Sequence, residues 1–161
     1  MKSRFIGYSL IMSAAALSTA CVGHHQHAEE YAHYTPGLGE IMAQSADRHT
    51  KLWFAGQAQN WELAAYEVDE LNEGFEDAAK YHRTHKQIKQ LIPELIAQNM
   101  FQPLAALEQA IKAKDLQAFT QNYANLTAGC NACHQATEFG FNRVTQPNFN
   151  PFADQAFGTA N

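Results

Sequence analysis

A chain of 161 residues, 46% hydrophobic and 17% charged, has the size of one domain and enough apolar material for a core, which excludes a wholly disordered protein. The 16 acidic residues outnumber the 11 basic ones, for a net charge of −5. No basic stripe is present, which sets aside a nucleic-acid binder.

Residues 1–20 read as a secretory signal: Lys2 and Arg4 form a short positive start, and Phe5 to Ala20 is apolar, small and uncharged. That run is short for a membrane span, which needs about 20 apolar residues. Leu17-Ser18-Thr19-Ala20-Cys21 resembles a bacterial lipoprotein signal and makes Cys21 a candidate lipid anchor. Leu17, however, stands four places before Cys21 rather than three, and Ser18 and Ala20 also suit ordinary cleavage. Both readings imply export to the periplasm. Removal of residues 1–20 leaves 9 basic and 16 acidic residues, a net −7 that favours basic partners.

Residues 21–36 are polar, with His24, His25, His27 and His33, and read as a flexible tether. Pro36-Gly37 marks an entry turn. From Leu38 to Gln59, the recurrence of Met42, Ser45 or Ala46, His49, Leu52 or Trp53, and Gly56 predicts a helix. Asn60 suits the N-cap of a second helix, with Glu62 in its first turn. Its apolar stripe is Ala64, Val68, Leu71, Phe75 and Ala78, ending at His82, and Glu67, Glu70, Glu73, Glu76 and Asp77 read as a solvated face. Over residues 83–102 the apolar patch Ile88, Leu91, Ile92, Leu95 and Ile96 is broken at Pro93. Pro103 suits the first turn of a third helix running to about Ile111, and Asp115 opens a fourth. The stripe of that last helix is Leu116, Phe119, Tyr123, Leu126, Cys130 and Cys133.

Cys130-Asn131-Ala132-Cys133-His134 is the C-x-x-C-H pattern of c-type haem attachment. Two thiols must reach the two vinyl groups on one porphyrin edge, and the adjacent imidazole must reach the iron, so Cys130, Cys133 and His134 are the cofactor-binding candidates and haem c the expected cofactor. A redox disulfide would call for a neighbouring βαβ pattern, and zinc for two further ligands at familiar spacing; neither is legible. Residues 37–138 thus form an all-α haem-binding unit, expected as an antiparallel four-helix bundle with the haem near the end of its last helix. Residues 139–161 carry Phe139, Phe141, Phe149, Phe152 and Phe157 without a steady period and read as an extended aromatic tail.

A C-x-x-C-H on the last of four helices resembles the cytochrome c-prime family and its low-spin relatives, over about residues 36–136. The tail departs from the family pattern. Residues Asp47–Trp61 also resemble a group of exported haem proteins of unassigned role. The resemblance implies a sixth iron ligand from the first helix, which favours His49, then Met42, then an open iron; His82 and Met100 follow. It also implies pairing of copies through the first helices. The functional expectation is electron transfer with redox partner proteins, without catalysis. A gas-binding or sensing haem protein is the second reading, and an exported non-haem metal-binding module using the histidine-rich tether is the third.

Overall fold

The computed structural model describes residues 34–159; the expected signal segment, Cys21 and the histidine-rich run through His33 lie outside the described residues. The described chain is all-α, with five helices and no strand: α1 (Leu38–Gln57), α2 (Trp61–Tyr81), α3 (Ile92–Asn99), α4 (Phe101–Ala113) and α5 (Leu116–Ala136). None of these helices is long and apolar enough to cross a membrane.

The helix boundaries follow from local chemistry. After α1 the chain takes a left-handed turn at Gln59 (φ 54°), and the Asn60 side chain accepts from the Leu63 N–H at 3.3 Å to start α2. The same device joins α4 to α5: Lys114 turns left-handed (φ 55°) and Asp115 accepts from the Ala118 N–H at 2.9 Å. Each cap satisfies an amide that the helix start leaves without an intrahelical partner.

The apolar stripes meet as spaced. Leu52, Ala55, Ala64, Leu71, Ala78, Leu107, Phe119, Tyr123 and Leu126 are essentially inaccessible to water. Gly56 lets α1 and α5 close on each other, because a Cβ there would overlap the Phe119 ring. Trp53 lies 6.4 Å from Phe119 and 4.9 Å from Tyr123, ring centre to ring centre, so aromatic packing fills the α1–α5 seam.

Two expectations are corrected. Pro93 does not break the apolar patch; it sits in the first turn of α3, where its missing N–H costs no hydrogen bond, and α3 buries Ile92, Leu95 and Ile96. The buried Met100 then ends α3 and caps α4, whose first turn holds Pro103 as the sequence suggested. Second, Glu67 is buried at 1% exposure rather than solvated. It stands one turn from both Ala64 and Leu71, at the border of the buried stripe, and Arg48 of α1 reaches it at 3.2 Å while holding Glu70 at 2.7 Å.

Residues 139–159 form no helix or strand, and they touch the helices at a few points only: Phe157 is buried, whereas Phe141 and Phe149, expected to be covered, are exposed at 83% and 71% because no helix face lies against them. Lys51 stands over the Phe152 ring at 4.8 Å, the buried Phe157 lies 5.5 Å from Phe54, and Asn60 donates to the Gly158 carbonyl at 3.4 Å.

Candidate functional site

The last two turns of α5 carry Cys130, Cys133 and His134. The helical spacing puts the two sulfurs on one face, a turn apart, with the imidazole about 100° further round. Both cysteines are free thiols, half-buried and packed against the core. Burial, with Cys133 adding, pushes the Cys130 thiol up to about 12, and burial also raises Cys133. A disulfide-exchange nucleophile needs the opposite shift, toward a ready thiolate.

His134 is half-exposed, and its Nδ1 lies 2.6 Å from the carbonyl oxygen of Asn142. A carbonyl only accepts, so Nδ1 carries a proton, and the tautomer this bond selects has its lone pair on Nε2. That is the arrangement in which a histidine serves as a metal ligand through Nε2.

The helix end that supports this ring is closed by its own hydrogen bonds. Thr137 donates its hydroxyl to the Cys133 carbonyl at 2.9 Å, and the Phe139 N–H donates to the His134 carbonyl at 2.8 Å. Glu138 turns left-handed (φ 66°) and sends the chain away from the helix axis. The Asn142 N–H then donates to the Phe139 carbonyl at 2.8 Å, and Asn131 holds both backbone groups of Val144 at 2.9 Å. Asn131, Asn142 and Val144 carry no signal in the sequence. An asparagine in a variable place of the motif is unremarkable, and its partner lies 13 residues on, in a segment without periodicity.

Before the motif, Gly129 faces the α3–α4 elbow. A Cβ there would collide with the Asn99 carbonyl and reach 3.5 Å from the Met100 sulfur. Met100, among the sequence candidates, is therefore buried with its sulfur beside Gly129.

The remaining candidates fall at different heights. Contacts between α1 and α5 run in opposite numerical order: Gln57 meets Thr120, Trp53 meets Phe119 and Tyr123, and His49 meets Tyr123 and Thr127. His49 thus lies about two turns below His134, whereas Met42, two turns earlier on α1, lies level with it. Met42 is half-buried and packs against the core.

His49 has both ring nitrogens in use. Thr127 donates its hydroxyl hydrogen to the Tyr123 carbonyl at 3.0 Å, so it accepts from His49 Nε2–H at 2.9 Å. Nδ1 then accepts from the Tyr123 hydroxyl at 2.9 Å, which lies equally close to the His49 carbonyl. Burial lowers the His49 pKa to about 4, so the ring is neutral, and burial with Cys130 adding raises the Tyr123 phenol. His82, at the end of α2, donates Nε2–H to the Pro36 carbonyl at 2.8 Å and faces His85 edge-on at 6.0 Å.

Among the described residues, no three His, Cys, Asp or Glu side chains are gathered as a metal cage. A surface hollow of about 840 Å³ lies near the other end of α5, lined by Trp61, Tyr66, Glu108, Ile111 and Lys114 among others. It is remote from the cysteine motif and holds no cysteine or histidine. No family model, curated protein or solved structure matches this chain.

Proposed function

We propose that this protein is an exported c-type haem protein whose role is electron transfer, with one haem held by thioether bonds to Cys130 and Cys133 and ligated by His134. The observation that carries this reading is the pairing of two free, half-buried thiols one turn apart with an adjacent imidazole whose Nδ1 is committed to the Asn142 carbonyl. These residues fit the group. The thiols share a helix face, and the imidazole keeps its Nε2 lone pair for a metal. Once bound, the haem supplies a one-electron couple. The chain binds it, orients the proximal imidazole and packs apolar side chains around it. The helical frame is read as an antiparallel bundle of α1, α2, α4 and α5, with α3 an added pair of turns before α4. Lipidation at Cys21, a periplasmic setting and basic redox partners belong to the same proposal.

For the sixth position, Met42 is better placed than His49. It lies level with His134 and its sulfur competes with no hydrogen bond, whereas recruitment of His49 requires giving up bonds to Thr127 or Tyr123 in a packed seam. A thioether is also a weaker ligand than imidazole. The occupation of both His49 nitrogens therefore favours a second reading, a gas-binding haem protein with a displaceable ligand.

Visible spectra of protein matured in an exporting host, followed by carbon monoxide titration of the reduced form, test both readings. Sharp reduced bands with slow, partial carbon monoxide binding are expected for the carrier. Immediate, complete binding would transfer the assignment to gas binding, and a spectrum without haem bands would end both.

A further inference from the structure

The residues that follow the motif fold back onto it. Asn131 and His134 are three apart on α5, so their side chains are neighbours on one helix face. Both engage the returning chain. Asn131 uses its whole amide: Nδ2 donates to the Thr127 carbonyl at 3.0 Å and to the Val144 carbonyl at 2.9 Å, and Oδ1 accepts from the Val144 N–H at 2.9 Å. The two bonds to Val144 mimic a strand pair, with a side-chain amide in place of a backbone one. Two residues earlier, the Asn142 carbonyl receives Nδ1–H of His134 at 2.6 Å. The loop between is closed by Asn142 N–H to the Phe139 carbonyl at 2.8 Å.

We propose that residues 142–144 are a strap that sets the electronic character of His134, and that Asn131 is the positioning residue that holds the strap in register. This rests on the reading of His134 as the iron ligand. A carbonyl fixed on Nδ1–H selects the tautomer with a free Nε2, fixes the ring's rotation and makes Nε2 a stronger donor. A stronger donor favours the oxidised metal, so the strap lowers the reduction potential. With Asn131 removed, Val144 loses both side-chain bonds, the Asn142 carbonyl is no longer held at 2.6 Å, and Nδ1–H is shared with water.

The test uses Asn131→Ala and the near-isosteric Asn131→Leu, both tolerated by a helix interior, with Phe149→Ala as a control at an exposed tail position. In the haem-loaded proteins, both Asn131 variants are expected to keep covalent haem and show a raised midpoint potential, while the control matches the wild type. In the haem-free full chain, ring-nitrogen NMR is expected to show His134 held as the Nδ1–H tautomer in the wild type and released toward a mixture in both variants, with faster exchange of the Val144 amide. An unchanged potential and an unchanged His134 tautomer in both variants, with helicity retained, would overturn the strap. A wild-type chain that acquires no haem would instead overturn the proposed function, and the tautomer measurement would still decide the strap.

Discussion

His49 shows how a buried side chain sets pH behaviour. In the folded chain its pKa is lowered to about 4 by burial, against an ordinary value of 6.5. Between these values the unfolded chain binds the extra proton, so the stabilising difference is complete above pH 6.5 and is lost as pH falls toward 4. The contribution is at most about 3 kcal/mol. Denaturant unfolding of haem-free protein at pH 7 and pH 4.5 is expected to show a fall in stability that His49→Gln reduces; an equal fall in the variant would assign the effect to the carboxylates. Arg48 gives a second prediction at this scale. Arg48→Ala would leave the Glu67 carboxylate buried without its cation, and a loss of about 2 kcal/mol is expected in urea unfolding. At this scale the sequence was informative about residue type and poor about partners. Glu67 lies in the acidic series of α2, and its burial became visible only when α1 brought Arg48 beside it.

Among the elements, α1, α2 and α5 were legible because their apolar residues recur every three or four places, and α2 and α5 also open on the side-chain caps Asn60 and Asp115. α3 was not, since eight residues show little periodicity and Pro93 reads equally as a break or a start. Leu91 and Met100 supply no side-chain cap either. The seam between α1 and α5 depends on Gly56, where a methyl group would overlap the Phe119 ring. Gly56→Ala improves helix propensity by about 1 kcal/mol, yet overpacking costs about 1–3 kcal/mol. The net expectation is a lowered Tm, and an unchanged or raised Tm would show that Phe119 moves aside freely.

Across the molecule, the helices and the tail divide the work of the candidate site. α5 contributes the two thiols and the imidazole, while the tail contributes the carbonyl that orients that imidazole. The tail then continues along α1 to Phe54 and Asn60. The motif itself was legible as a spacing, Cys130, Cys133 and His134 in fixed order near the end of the last helix. The tail contacts were not, because they join residues 13 and 98 apart through single amides. Phe157 anchors the far end of the tail at 8% exposure, and Phe157→Ala is expected to cost about 3 kcal/mol while leaving haem attachment intact. Thermal unfolding and the haem content of the purified variant measure the two effects separately.

The central claim is that Cys130 and Cys133 bind haem covalently. The most direct measurement is the intact mass and pyridine haemochrome spectrum of the acid–acetone-extracted, denatured chain after maturation in a host with a c-type haem attachment pathway. One haem retained per chain, reduced to non-covalent traces in the Cys130→Ala, Cys133→Ala double variant, is the predicted result. A wild-type chain of bare polypeptide mass with no haemochrome band would contradict it.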